Sequence, residues 1–363
     1  MPAPTLARLR RHATARSLFK PTTLPQAIAR LGFVQADPIR SPARAQDLTL
    51  RHRVTGYRVG DLERHYPTLA VEEDFFVNYG FVTPELHARM HPRTARTEWP
   101  AERWAQAQAV CDFVQQRGDV HPREVDAHFA HGHTRNGFGG QSKASTQLLD
   151  GMHYRGLLRV ARRDNGIRLY ASRTPQPAPD DVPVVLDQLV QVLVQKYAPL
   201  PLPGLRQLVA MLKHAVPQWQ PQLRAALQRA TQRLPHAEVA GTPWFWPEDE
   251  DPCSRRWAVA DTVRLLAPFD PVVWDRDRFE RLWGWAYRFE AYTPPAQRVR
   301  GYYAMPLLWR DEVIGWGNVS VVDGRLQAAL GYVNGHAPTD AGFADALDAE
   351  LAAMAAFLGV AAR

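Results

Sequence analysis

The chain has 363 residues, a formal net charge of +7 and two cysteines, Cys111 and Cys253. Its 45% hydrophobic and 22% charged residues are typical of a folded globular protein, and they exclude a small disulfide-stapled peptide and a globally disordered chain. The sequence contains neither an apolar run of roughly 18 residues nor a secretory signal, so we expect a cytoplasmic protein of two or three domains.

Positive charge is concentrated near the start of the chain and is mostly arginine. Residues 1–60 hold eleven basic side chains against two acidic ones, Asp37 and Asp47. A strongly positive lobe is typical of a polyanion-binding protein, because each phosphate contact releases counterions. The alternative is a solvated arginine-rich surface without a ligand.

The first predicted elements are two helices and a short strand. Residues 5–19 form an amphipathic pattern, and Thr23 with Gln26 has the spacing of a capping box that starts a second helix. Gly32 ends that helix, and residues 33–37 follow as a strand before Pro38. This order is typical of a helix-turn-helix and predicts a first domain over residues 1–100.

Residues 101–174 have the pattern of a winged helix. Three helices are predicted to begin near residue 101, at Pro122 and at Ser142, with a glycine loop at 137–140. A hairpin follows, with its turn at Asp164-Asn165-Gly166. This hairpin, or wing, holds six arginines and one acid between Arg155 and Arg173, which suits contact with a phosphate backbone.

The remaining sequence predicts a third winged helix over 183–250, a β module over 255–335 and a C-terminal helix within 336–363. The helices of the third winged helix are predicted at 184–198, 203–213 and 219–233, with wing strands at Val239 and at 244–246. Short aromatic strands follow, at 272–274, 287–292, 302–308, 313–321 and 326–333. The predicted fold class is α+β, with tandem winged-helix (helix-turn-helix) motifs packed around a C-terminal β-barrel-like module.

Gln35 and Asp37 are the candidate catalytic residues. Side chains alternate along a strand, so the amide and the carboxylate are expected on one face. A carboxylate can orient or deprotonate water and stabilise a sugar cation, while an amide can hold that water. A capped turn before Pro38 is the alternative interpretation. No run of aromatic residues flanks the pair in the sequence, so we expect an open site.

Basic and polar side chains near these elements are the candidate DNA contacts. In the N-terminal lobe they are Arg40, Arg44, Arg51 and Arg53. On the helix from Ser142 they are Lys143 and Gln147, with His153 also expected to be exposed. On the wing they are Arg162 and Arg163.

Other chemistry is weakly indicated. His128, His131 and His133 lie in a loop without carboxylate or thiolate partners, so we expect no metal site. Phosphate-binding, dinucleotide-binding and nucleophile-elbow motifs do not occur, so we expect no cofactor. Five aromatic residues of the β module, interleaved with arginines, form either its core or a stacking surface for unpaired bases: Trp274, Trp283, Trp285, Tyr287 and Tyr292.

Three segments carry a family resemblance. LGFVQADPIRSPARAQDLTLRHRV at 31–54, GGQSKASTQLLDGMHYRGLL at 139–158 and the stretch 265–315 are similar to the YcaQ-like and AlkZ-like crosslink-repair DNA glycosylases. The resemblance implies a monofunctional enzyme that removes N7-alkylated guanine and unhooks interstrand crosslinks. Its catalytic motif falls on Gln35 and Asp37, in the Gln-x-Asp branch. The implied partner is alkylated or crosslinked double-stranded DNA, with nucleoid association, no membrane and no obligate protein partner.

Two departures from the family pattern affect the expected range of lesions. Tyr79-Gly80-Phe81 stands where many members have an aromatic-x-His element, and Gly315-Trp316-Gly317-Asn318 replaces a Gly-Arg-x-Asp stretch. The lysines are Lys20, Lys143, Lys196 and Lys213, and since none lies in the strand, we expect no lyase activity. The alternative function is a winged-helix transcriptional regulator without catalytic activity, in which Lys143, Gln147 and His153 read bases and the β module binds an effector.

Overall fold

The computed structural model describes residues 3–130, 132–135 and 141–362. Two compact units are present: one combines the chain up to Asp61 with Val190–Val209 and the part from Leu227 onward, and the other combines Leu62–Leu189 with Ala210–Ala226. Within the described part of the chain, no helix is both long and apolar enough to cross a membrane. The predicted domain ranges are contiguous, whereas these units are not, and the ranges stay predictions.

Helices and strands are interspersed through the described residues. The α-helices are α1 (Leu6–Ser17), α2 (Leu24–Leu31), α3 (Ala45–Leu50), α4 (Asp61–His65), α5 (Pro84–Met90), α6 (Ala101–Arg117), α7 (Pro122–Phe129), α8 (Ala144–Tyr154), α9 (Val182–Tyr197), α10 (Leu202–Met211), α11 (Leu223–Arg233), α12 (Arg276–Trp283) and α13 (Ala341–Leu358). The strands are β1 (Phe33–Gln35), β2 (Glu72–Phe75), β3 (Tyr79–Val82), β4 (His133–Arg135), β5 (Gln141–Lys143), β6 (Leu158–Asp164), β7 (Ile167–Ser172), β8 (Leu200–Pro201), β9 (His236–Val239), β10 (Thr242–Phe245), β11 (Val263–Leu265), β12 (Met305–Trp309), β13 (Glu312–Val322) and β14 (Arg325–Tyr332).

The start of the first unit follows its local sequence signals. Thr23 and Gln26 form the expected capping box of α2. Gly32 ends the helix at φ +66°, a left-handed conformation that favours glycine, and a Cβ there would lie 3.0 Å from Val192. The chain then enters β1, which ends at Gln35, two residues earlier than predicted.

Three helices and one small sheet form the region predicted as the third winged helix. The element order is α9, β8, α10, α11, β9 and β10, and the three strands form an antiparallel sheet in the order β8-β10-β9. The predicted helices and wing strands of this region are therefore present, with shifted ends. The boundaries between the two compact units fall inside the helices α9, α10 and α11 of this region.

The β module is an open, curled four-stranded sheet, antiparallel in the order β11-β12-β13-β14. Gly315 of β13 faces the carbonyl of Gly331 so closely that a Cβ would clash with it. The predicted terminal helix is present as α13 and packs on this sheet, with the Phe343 ring 5.7 Å from Trp309 and 6.3 Å from Tyr332.

Two predicted strands of this module are wrong. Residues 271–274 form turns that lead into α12, and residues 287–292 have no regular structure. Tyr287 is nevertheless buried and packs with Trp285 and Phe279 in one hydrophobic core, whereas Tyr292 is exposed. Core packing therefore accounts for Tyr287 and Trp285 without a strand.

In the second unit, α6, α7 and α8 precede the hairpin of β6 and β7. Asn165 and Gly166 both have positive φ, +48° and +84°, as a two-residue hairpin turn requires, so this predicted hairpin is confirmed. Val120 bridges Tyr170 of β7 and adds a third antiparallel segment. The predicted glycine loop at 137–140 lies outside the described residues.

Candidate active site

Gln35 is held at the end of a buried strand. Phe33 and Val34 are fully buried, and Gln35 is 6% exposed. The indole Nε1 of Trp274 donates a hydrogen bond of 2.8 Å to Oε1 of Gln35. Because Oε1 accepts this bond, the amide orientation is set and the NH2 group remains as a donor for other partners.

Asp37 lies just beyond the strand in a more open position. Its backbone N–H donates to Oε1 of Gln46 at 3.3 Å, and its Oδ1 accepts from the N–H of Ile39 at 2.9 Å. Burial raises the pKa of this half-buried carboxyl, and the Ile39 bond opposes the rise. Because β1 ends at Gln35, the alternation of side chains along the strand does not set the direction of the Asp37 side chain. The hydrogen bond from Ile39, across Pro38, orients the carboxylate instead.

Aromatic side chains surround the pair, although none is its neighbour in sequence. Besides Trp274, the tyrosines Tyr292 and Tyr303 are close enough that the Asp37 charge, after burial, raises the pKa of each. The hydroxyl of Tyr303 is buried and has no hydrogen-bond partner among the described residues. The lack of flanking aromatic residues in the sequence therefore does not mean that none is near in the fold, and the open site stays a prediction.

A lysine also reaches the strand. The Nζ of Lys196 on α9 donates to the carbonyl oxygen of Phe33, two residues before Gln35. Burial, followed by the charge of Arg53, lowers the pKa of Lys196 to about 7. The Lys196 residue is 3% exposed. No lysine lies in the strand, as the sequence shows, and the one that contacts it from α9 is bonded to backbone and buried.

The arginines predicted to contact DNA in the N-terminal lobe have different roles. Arg40 is exposed and Arg44, which precedes α3, is half-buried. Arg51 is bonded to Glu350 of α13 and to the Leu265 carbonyl.

Arg53 is 0% exposed and is held by four hydrogen bonds. It donates to Asp270 at 2.7 and 3.0 Å and to the carbonyls of Ser17 and Thr49 at 2.8 and 2.7 Å. The prediction of phosphate contacts is therefore corrected for Arg51 and Arg53, since both are buried ion-pair partners within the fold.

The two wing arginines also differ from each other. Arg162 is 45% exposed and pairs with Asp119 at 2.7 Å on the surface. Arg163 is mostly buried and donates two bonds to the fully buried Glu73, at 2.7 and 2.5 Å. The prediction that Arg163 contacts phosphate is corrected, because moving it would leave the Glu73 charge unpaired.

On α8, the polar residues are only partly exposed. Lys143, just before the helix, is exposed and bonded to Asp126, and Gln147 is half-buried. His153 is buried, and its Nε2 donates to the Glu73 carbonyl at 2.9 Å, which corrects its predicted exposure. The base-reading surface of the regulator alternative therefore lacks this histidine.

Strand β3 contains Tyr79-Gly80-Phe81, which departs from the family pattern. It lies beside a buried cluster of charged side chains that was not predicted from the sequence. Phe81 is fully buried, and Tyr79 donates to Glu73 at 2.8 Å. On β2, Asp74 accepts from His91 at 2.7 Å and from two guanidinium nitrogens of Arg93, at 2.7 and 3.1 Å.

Asp74, His87 and His91 resemble a metal site, since one possible ligand atom of each lies within 4.8 Å of the others. The guanidinium of Arg93 already provides the cation that Asp74 needs, and burial lowers the pKa of His87 to about 2. The cluster is a buried ion-pair network. The spacing of four between His87 and His91 was its one signal in the sequence.

Comparison with known proteins identifies the family of this chain. A sequence profile described as DNA glycosylase AlkZ-like matches residues 28–357. The chain belongs to this family. In fold it is similar to Streptomyces sahachiroi DNA glycosylase AlkZ, with a TM-score of 0.66, 14% sequence identity and coverage of 100% of both chains. The resemblance drawn from the three sequence segments is thereby confirmed, and membership supports a DNA glycosylase role.

Proposed function

We propose that this protein is a monofunctional DNA glycosylase that hydrolyses the N-glycosidic bond of N7-alkylated guanine and also unhooks N7-linked interstrand crosslinks. The observation that carries the proposal is the pairing of an oriented amide and a partly exposed carboxylate, Gln35 and Asp37, in a member of this family. The substrate is alkylated or crosslinked double-stranded DNA.

The chemistry needs little from the protein at the leaving base. Alkylation at N7 makes guanine cationic, so it departs as a neutral base without a general acid. The sugar then develops oxocarbenium character, which the Asp37 carboxylate stabilises while it accepts a proton from water. The free NH2 of Gln35 donates a hydrogen bond to that water or to the substrate, because its carbonyl oxygen is engaged by Trp274.

Hydrolysis without strand cleavage is favoured by the position of Lys196. A lyase step needs an amine that attacks the sugar C1′. Lys196 is near the strand, but its Nζ bonds the Phe33 carbonyl and is buried. Borohydride reduction during turnover should therefore trap no covalent enzyme–DNA adduct.

Winged-helix motifs are the proposed DNA-binding elements. The helices α6, α7 and α8 with the hairpin β6–β7, and the set from α9 to β10, have the element order of winged helices. Among the predicted contacts, Arg40, Arg44, Arg162 and Lys143 remain candidates for phosphate binding. Exposed ion pairs such as Arg162 with Asp119 are weak, so a phosphate can replace the carboxylate.

The test is release of 7-methylguanine from alkylated duplex DNA. Asp37→Asn should lose most of the excision rate and keep or slightly raise its affinity for DNA, because a negative charge near phosphates is removed. Gln35→Ala should also slow excision. The matched control is Asp345→Asn, which removes an exposed carboxylate of α13 and should change neither quantity.

The proposal would be contradicted if Asp37→Asn excised normally but failed to bind DNA. Sequence-selective binding of undamaged operator DNA without any excision would support the regulator alternative. Crosslink unhooking is tested separately with a duplex joined through two guanine N7 atoms and with adducts of increasing size. A rate that falls sharply with adduct size would exclude crosslinks as substrates.

A further inference from the structure

A short segment of the β module exposes more apolar surface than its surroundings. Tyr292 and Val299 are each 79% exposed, whereas the other exposed large hydrophobic residues that the structure describes stay below 50%. Tyr302, which is 41% exposed, lies in the same segment. We refer to Tyr292, Val299 and Tyr302 as the aromatic platform. Large apolar side chains held in water are typical of interaction sites.

The backbone of this segment is tied down by specific hydrogen bonds. Glu290 accepts from the N–H groups of Arg300 and Gly301, at 2.8 and 3.2 Å. The Nδ2 of Asn318 donates to the carbonyl of Arg300 at 2.7 Å, and Arg298 donates to the carbonyl of Thr293 at 2.8 Å. The backbone that carries the exposed rings is therefore preorganised, which reduces the entropy lost when they bind a partner.

The segment that carries the platform has a net positive charge. Residues 288–302 contain three arginines, Arg288, Arg298 and Arg300, against one acidic residue, Glu290. The guanidinium carbon of Arg298 lies 5.0 Å from the centre of the Tyr302 ring. Aromatic faces next to arginines are the combination by which proteins bind unpaired nucleotides, through base stacking and phosphate attraction.

Ring contacts connect the platform to the candidate active site. Phe289 contacts both Tyr292 and Tyr303, with ring centroids 6.1 and 5.3 Å apart. Next to Tyr303, the carbonyl of Ala304 accepts from Tyr287 at 2.7 Å.

Tyr287 also connects to the residues around Gln35. The centre of its ring lies 4.6 Å from the guanidinium carbon of Arg276. Arg276 follows Trp274, the donor to Gln35, by two residues. Tyr292 of the platform and the Gln35–Asp37 pair are therefore linked by side-chain contacts and sequence neighbours within the same compact unit. The influence of the Asp37 charge on Tyr292 agrees with this arrangement.

We propose that Tyr292 and Tyr302 bind an unpaired nucleobase by stacking, and so hold the DNA locally open beside the Gln35–Asp37 pair. The inference rests on the proposed function in taking DNA as the substrate. It adds a binding subsite for one base, distinct from the residues that act on the sugar. The positive charge of the segment favours this ligand over an apolar protein surface.

The experiment measures binding by the full chain carrying Asp37→Asn, so that excision does not intervene. Two duplexes are compared by fluorescence anisotropy: one with a single bulged adenine, and the same duplex with a tetrahydrofuran abasic analogue at the bulge. Tyr292→Ala and Tyr302→Ala should each weaken binding to the bulged adenine by about fivefold or more. On the abasic duplex, the same variants should differ from the parent by less than about twofold.

Matched variants separate stacking from other roles. Tyr292→Phe and Tyr302→Phe keep the ring and should keep the affinity. Val333→Ala, which alters an exposed apolar residue after β14, should have no effect on either duplex. Equal losses on both duplexes would overturn the proposal, and so would a self-associated parent that Tyr292→Ala makes monomeric, since the platform would then be a protein interface.

Failure of this inference is distinguishable from failure of the proposed function. If the unsubstituted protein releases no 7-methylguanine while the base-dependent loss persists, the stacking subsite stands and the glycosylase assignment fails. If excision occurs and the alanine variants bind the two duplexes with equal losses, the subsite alone is refuted.

Discussion

The buried ion pair of Arg53 and Asp270 permits a quantitative prediction, because the structure and the sequence pattern assign Arg53 opposite roles. The sequence places Arg53 in a basic lobe that contacts phosphates. In the structure, its guanidinium is 0% exposed and makes two bonds to an equally buried carboxylate. Arg53→Met would leave Asp270 with the N–H of Val272, 3.0 Å away, in place of the cation.

Removing one partner of a buried ion pair costs about 3–5 kcal/mol, since the other charge stays desolvated. With an m-value of about 3 kcal/mol per molar urea, this loss lowers the urea midpoint by about 1–1.7 M. Urea unfolding followed by tryptophan fluorescence measures the shift. Where the variant is folded, its DNA binding should keep the salt dependence of the parent, because no phosphate contact has been lost.

Two further variants make this reasoning refutable. Arg53→Met with Asp270→Asn removes both charges and should recover much of the lost stability. Arg40→Gln removes an exposed arginine and should leave the midpoint unchanged while lowering the salt slope by about one unit. A normal midpoint for Arg53→Met together with a reduced salt slope would show that Arg53 binds DNA and that the ion pair contributes little.

Three other predictions follow from the site and the wing. Burial raises the pKa of Asp37, so the rate of 7-methylguanine release should fall on the acid side at a higher pH than an ordinary aspartate gives, and the residual rate of Asp37→Asn should lack this limb. Burial, followed by the charge of Arg53, lowers the pKa of Lys196 to about 7. Between pH 7 and about 10.4 the unfolded chain therefore binds one more proton than the folded chain, and stability rises with pH. Lys196→Met should remove this rise, on the order of a few kcal/mol, in urea unfolding at several pH values. Arg162→Gln should lower the salt slope of DNA binding by about one without changing stability, whereas Arg163→Gln should cost about 3–5 kcal/mol of stability by leaving Glu73 unpaired.

The elements that the sequence alone determined depend on neighbours within a few residues. The capping box at Thr23 and Gln26 is present as predicted, as is the turn at Asn165-Gly166. Spacings of this kind determine the local backbone conformation independently of distant segments, because the groups that hydrogen-bond are three or four residues apart. The Gln-x-Asp motif was likewise visible as a family signature before its geometry was known.

Only the tertiary structure decided which charged and aromatic side chains are available to a ligand. Arg40 and Arg53 look equivalent in the sequence, but Arg53 meets Asp270 across 217 residues and is removed from solvent. Trp274 reaches Gln35 across 239 residues, and no local pattern announces that contact. The physical reason is that burial and ion pairing depend on which distant segments pack together, so the same arginine is a phosphate ligand on a surface and a structural cation in a core.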